Sequence, residues 1–144
     1  MFFIYRMENE PEVTYETVFP DVADGQCYTN AVMWASSKEV AIITGYQGGE
    51  NSGNFGPDDN ITREQLVTML YRYAKYKGYD ISRTSDMADF SDKEEVGAFA
   101  EEAMSWAVAE NLLKGSNGKL NPQSNANRAE CAEVIQRFME NIVR

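Results

Sequence analysis

The groups that most often do chemistry in proteins are thinly supplied in this chain. It has no histidine, which removes the commonest general base and the commonest metal ligand. Its two thiols, Cys27 and Cys131, lie far apart, with no CxxC and no zinc spacing. Cys131 falls inside an apolar helical stripe, and both read as separate, partly buried thiols; a disulfide between them is the alternative, resting on nothing local. Carboxylates are plentiful, at 23 Asp and Glu, yet nothing singles out a pair for acid and base roles, and no GxSxG nucleophile turn occurs. Asp58-Asp59-Asn60 has part of a calcium loop's composition but lacks its glycine and terminal glutamate spacing. The expectation is a non-catalytic protein with no cofactor and no metal. A net charge of −10 repels phosphate backbones, so nucleic acid is not an expected partner. No run approaches the roughly 20 apolar residues of a membrane helix, so membrane insertion is not expected either. Met1–Arg6 is too short and lacks the basic leader of a signal peptide.

The organisation of the chain is a repeat. One copy opens at Phe19-Pro20-Asp21-Val22 and the other at Phe90-Ser91-Asp92. Each continues through an aromatic (Tyr28, Phe99) to a segment carrying Trp34-Ala35 or Trp106-Ala107. Thr44-Gly45 then answers Lys114-Gly115, and Phe55-Gly56-Pro57 answers Leu120-Asn121-Pro122. Last, Ile61-Thr62-Arg63-Glu64-Gln65 answers Ala126-Asn127-Arg128-Ala129-Glu130. The copies differ in length mainly at Glu50-Asn51-Ser52-Gly53-Asn54, a loop insertion in the first.

Local chemistry predicts the helices. Thr62 with Gln65, and Asn127 with Glu130, have capping-box spacing. Behind them Leu66, Met69, Leu70 and Tyr73, then Cys131, Val134, Ile135 and Phe138, recur at helical spacing. Asn111 suits a left-handed helix end. Aligning Arg6 with Arg72 and Arg137 places Phe3, Ile4 and Met7 on the apolar positions of those two helices, so residues 1–9 read as the end of a third copy whose front half is absent. The spacing predicts helices near 1–9, 29–39, 62–76, 96–110 and 127–142.

These motifs resemble the S-layer homology family, whose repeat runs from F-x-D-V through an aromatic and a W-A helix to T-G, F-x-P and I-T-R-A-E. The resemblance covers nearly the whole chain: a remnant and linker over 1–18, a repeat over 19–76, a linker over 77–89 and a repeat over 90–144, in a single module. It implies a mainly α, pseudo-threefold helical bundle with long loops. It also implies a cell-surface, cell-wall location and a wall-polysaccharide partner carrying pyruvylated amino sugar, held by Asp21, Trp34, Gly45, Thr62, Arg63, Asp92, Gly115 and Arg128. Physical reasons fit these roles. A pyruvyl ketal carries a carboxylate, which matches the planar fork of an arginine. Arg63 and Arg128 fall in first helical turns, where amides and the dipole favour anions. Gly45 and Gly115 would admit a ligand close to the backbone. Ala126-Asn127 in place of Ile-Thr, and Lys114 in place of Thr, depart from the pattern and put one groove in doubt.

Structural roles compete for the same residues. Trp34 and Trp106 sit in apolar stripes and read more readily as core than as sugar platforms. Arg63 and Arg128 could equally pair with Asp21, Asp92 or a neighbouring glutamate, and Asp21 and Asp92 could tie down the turn that follows. Arg6, Arg72 and Arg137 lie late in their helices, where a cation suits the dipole. The groove expected to be intact runs between the Thr44–Arg63 region and the second copy. A bundle missing part of one repeat exposes apolar surface, which predicts a homodimer through the truncated repeat and offers an alternative function, a protein-interaction or assembly module.

Overall fold

The computed structural model describes residues 2–46, 50, 52–56 and 59–143. Pro57, Asp58 and Asn51, named in the motif and loop readings, lie outside them, as does Met1. Among the described residues five α-helices form: α1 (Phe2–Met7), α2 (Thr29–Ser36), α3 (Arg63–Lys77), α4 (Glu101–Ala109) and α5 (Arg128–Phe138). Two 3-10 turns, Lys93–Glu95 and Ala98–Ala100, precede α4, and a π-helical turn, Met139–Val143, follows α5. No strand is present among these residues; two isolated bridges, Thr62 with Asn125 and Ser116 with Lys119, are the only β pairings. The chain is mainly helical with long loops, as the repeat pattern predicts. No described helix is long and apolar enough to cross a membrane.

The chain divides into two compact units, Met1–Asp59 and Asn60–Arg144. In the first, Ile4, Tyr5, Phe19, Val22, Val32, Trp34 and Ile42 are buried. Helix α1 meets α2 through the rings of Tyr5 and Trp34, whose centroids are 5.9 Å apart. Helix α2 stops at Ser36, three residues before the expected end. Ser37 turns extended (φ −61°, ψ 154°), and its hydroxyl donates to the Trp34 carbonyl at 2.8 Å. That bond satisfies an end-of-helix acceptor and competes with continuing the helix.

The second unit is built on α3. Thr62 closes the expected capping box: its oxygen accepts from Gln65 N at 3.3 Å and its amide donates to Gln65 Oε1 at 2.9 Å. Gly78 ends the helix in the left-handed region at φ 77°, donating to the Ala74 and Lys75 carbonyls. The buried stripe of Leu66, Val67, Leu70 and Tyr73 packs on α4, where Tyr71 and Trp106 meet edge to face at 5.5 Å. Phe138 of α5 completes this aromatic cluster, 6.1 Å from Tyr73 and 6.4 Å from Trp106. Helix α4 begins at Glu101, not near 96. Gly97 is extended (φ −63°, ψ 148°), and its amide donates to the buried carboxylate of Glu64 at 3.0 Å, which holds the chain out of helix there. At the other end Asn111 takes the expected left-handed conformation, φ 59°. Helix α5 ends at Phe138 and the chain widens into the π-helical turn, so the α-helical span expected to 142 is shorter.

Candidate functional site

The opening motif of each repeat makes the same closed loop. Asp92 accepts from the amides of Leu120 and Asn121, both at 2.8 Å. In the first unit Asp21 accepts from Phe55 N at 2.9 Å and Gly56 N at 2.7 Å. Burial alone would raise the Asp92 carboxyl, but the two amide bonds prevail and hold it below the usual carboxylate range. The phenylalanine two residues earlier closes the loop's other side. A Cβ on Gly115 would stand 2.6 Å from the Phe90 ring and 2.7 Å from the Lys119 carbonyl oxygen; on Gly45 it would stand 2.7 Å from the Phe19 ring and 2.9 Å from the Asn54 oxygen. Both glycines are left-handed, at φ 73° and 75°. The space that makes glycine necessary is therefore filled by the repeat's own aromatic and backbone. Phe, Asp, Gly and the later loop form one folding unit.

A second set of backbone bonds joins the start of α3 to the segment before α5. Arg63 N donates to the Ser124 oxygen at 3.1 Å, Glu64 N to the Pro122 oxygen at 3.0 Å, and Ala126 N to the Ile61 oxygen at 2.9 Å. The first-turn amides of α3 are thus already occupied, and any anion held there must rely on side chains rather than on the helix end. Glu64, buried beneath this junction, also accepts from Gln123 Nε2, 3.2 Å from each oxygen.

The junction opens into a cleft of about 320 Å³ within the second unit. Leu66, Leu113, Leu120 and Val134 contribute apolar lining; Arg63, Lys114 and Arg137 supply positive charge, and Glu130 and Glu133 negative charge. The Arg63 guanidinium, 20% exposed, donates to Glu130 Oε1 at 2.8 Å and to the Asn121 oxygen at 3.4 Å. Arg137 pairs with Glu133 one turn away on α5 and reaches the Leu112 oxygen at 3.5 Å. Lys114 is exposed and makes no ion pair among the described residues. A shallower depression in the first unit, about 390 Å³, is lined by Phe19, Ser37, Lys38, Ile43 and Thr44 among others.

The expected site residues divide accordingly. Arg63 and Gly115 line the cleft. Asp92 ties the loop that supplies Leu120 and Asn121 to it. Thr62 caps α3 and bridges Asn125. Arg128 is exposed at the start of α5. Asp21, Trp34 and Gly45 belong to the first unit, with Trp34 5% exposed against Tyr5. Arg63 has found the neighbouring-glutamate partner that was one of its open readings. Glu130, Glu133 and Lys114 were not foreseen as cleft residues. The 67 positions between Arg63 and Glu130 carry no local signal; the shared repeat register, which puts Arg63 and Glu130 in two equivalent helix starts, was the available hint. Among the described residues no group of His, Cys, Asp and Glu is arranged to hold a metal ion.

Helices carried on clamped loops and repeated along the chain define a repeat-built helical module, whose second unit holds a cleft lined by three cations. The chain belongs to the S-layer homology domain family, which it matches over residues 18–67 and 89–132. It is 31% identical over 142 residues to an amylopullulanase of Thermoanaerobacterium thermosulfurigenes, covering 95% of this chain and 7% of that protein. It is 26% identical over 134 residues to a cellulosome-anchoring protein of Acetivibrio thermocellus, covering 92% and 28%. Among solved structures, an undecaheme cytochrome from the S-layer of Carboxydothermus ferrireducens overlays with a TM-score of 0.48 at 18% identity, covering 96% of this chain and 20% of the other. The chain thus spans from 7% to 28% of the length of the two relatives.

Proposed function

We propose that this chain is a non-catalytic anchoring module of the bacterial cell surface, and that it holds an acidic, pyruvylated amino-sugar polymer of the wall in the cleft of the second unit. The observation that carries this reading is that Arg63 shares one cleft with Lys114, Gly115 and an apolar lining of leucines. A carboxylate meets the guanidinium fork there, the ammonium of Lys114 adds charge, and the leucines accept the sugar's apolar face. On a chain of charge −10, such a local cationic pocket is what makes an anionic polymer tolerable. Arg128 is exposed at the start of α5 and adds a cation to the helix that carries Glu133 and Arg137. Asp92 acts behind the cleft by fixing its loop; Asp21, Gly45 and Trp34 support the first unit in the same way, and Thr62 holds the helix start that aims Arg63.

The relatives support anchoring more than catalysis. One is named for anchoring, and the module is a small part of a much longer protein named as an enzyme. Retention on pyruvylated wall polymer, and loss of retention on the same polymer after pyruvate removal, tests the reading. Retention on neither would favour the assembly reading, for which exposed Val18, Phe99 and Met139 are the observation. In that case light scattering at rising concentration should reveal a homodimer, and a monomer throughout would contradict it.

A further inference from the structure

We propose that Glu130 is an internal competitor for Arg63: its carboxylate holds the place that a ligand's carboxylate takes, so that entry to the cleft requires a group able to displace it. The proposal rests on the wall-polymer reading and names the residue that sets its selectivity.

The asymmetry between two equivalent positions carries it. Gln65 and Glu130 are both the third residue of their helices, behind Thr62 and Asn127. Gln65 completes its capping box, accepting from Thr62 N at 2.9 Å. Glu130 makes only the backbone half, donating its amide to Asn127 Oδ1 at 2.8 Å. Its Oε1 faces Arg63 at 2.8 Å instead, with Asn127 Nδ2 at a marginal 3.5 Å. Its Oε2 is buried with no hydrogen-bond partner among the described residues.

A buried carboxylate oxygen without a donor is costly, so this arrangement is a poor resting place for Glu130. The capping box that its spacing from Asn127 supplies, and that Gln65 completes in the other copy, offers it an alternative place. The Glu130 side chain is 35% exposed, so solvent and ligand can reach the pair. An incoming carboxylate replaces the Glu130 oxygen on Arg63 and releases Glu130 to the cap. A neutral sugar offers Arg63 no charge in return and leaves the pair closed.

Calorimetry with pyruvylated wall-polymer fragments tests this, with folding checked by circular dichroism. Glu130→Gln removes the charge that holds Arg63 and should bind roughly threefold tighter or more than the parent chain, the scale set by a partly exposed ion pair. Glu130→Ala should do the same if glutamine perturbs the cap. Glu133→Gln removes the same unit of charge from the same cleft and frees Arg137 at its edge, but leaves the Arg63 pair in place, and should give a smaller gain. Binding by the parent chain with no gain in the Glu130 variants, or an equal gain in Glu133→Gln, overturns the competitor while leaving the wall-polymer reading standing. No binding by the parent chain or by either Glu130 variant contradicts both.

Discussion

Tyr71 on α3 meets Trp106 on α4 edge to face, with ring centroids 5.5 Å apart. In the first unit Tyr5 and Trp34 also meet, tilted at 50° with centroids 5.9 Å apart. Tyr5 precedes Arg6 as Tyr71 precedes Arg72, so α1 does in its unit what α3 does in the other. In each unit the helix that precedes the tryptophan helix sets a tyrosine against that tryptophan. This supports reading residues 1–9 as a repeat helix rather than as an unrelated apolar start.

The tryptophans should therefore behave as core. Trp106 has no exposed surface and Trp34 is 5% exposed. Replacing either by alanine is expected to cost about 3–5 kcal/mol, read as a lower urea midpoint. Trp106→Ala with unchanged stability would contradict the packing assigned to the α3–α4 pair.

The glycine that closes each loop gives a sharper test. Gly115→Ala brings a Cβ against the Phe90 ring and the Lys119 oxygen, on top of its left-handed backbone. Gly118→Ala has the same φ of 73° but only the Asp89 oxygen, at 3.9 Å, nearby. The first should lower the melting temperature clearly more than the second, which should lose only about 1–2 kcal/mol for the backbone conformation. Equal losses would show that the Phe–Gly contact does not matter.

Asp92 predicts a pH dependence of known sign. Its carboxyl lies below the usual range despite burial, because Leu120 and Asn121 donate to it. A depressed folded-state value contributes stability above the unfolded value, near 3.9 for aspartate. That contribution is lost as pH falls through the folded value. Asp92→Asn should cost about 1–3 kcal/mol at neutral pH and flatten the acid limb of a stability–pH curve. An unchanged acid limb would show that another carboxylate governs it.

Much of this was legible because the determining signals are local. Thr62 and Gln65 lie three residues apart, Asn111 sits at the end of its own helix, and the apolar stripes recur within single helices. Other features depended on partners far along the chain. The helix near 96 is delayed because Gly97 donates to Glu64, 33 positions earlier. Glu130 leaves its expected capping box because Arg63 stands beside it. The compact units also break between Asp59 and Asn60, inside the repeat read as 19–76, since α3 spends its apolar face on the helices of the next copy. Repeat register reveals equivalence between positions; it does not reveal which copies exchange their helices. Within the second unit, Gly115 and Lys114 share a cleft with Arg63.

The most direct test of the account is the affinity of Arg63→Ala for pyruvylated wall-polymer fragments, measured by calorimetry beside the parent chain. Loss of the charge-assisted contact should cost about 1.5–3 kcal/mol, which is roughly a ten- to hundredfold rise in Kd. Arg63→Lys should recover part of it, because an ammonium lacks the two-pronged geometry, and Arg128→Ala should lose less than Arg63→Ala. Circular dichroism must show both Arg63 variants folded, since the same arginine holds Glu130. A folded Arg63→Ala protein that binds the polymer with undiminished affinity would make this arginine purely structural and contradict the assignment of the cleft.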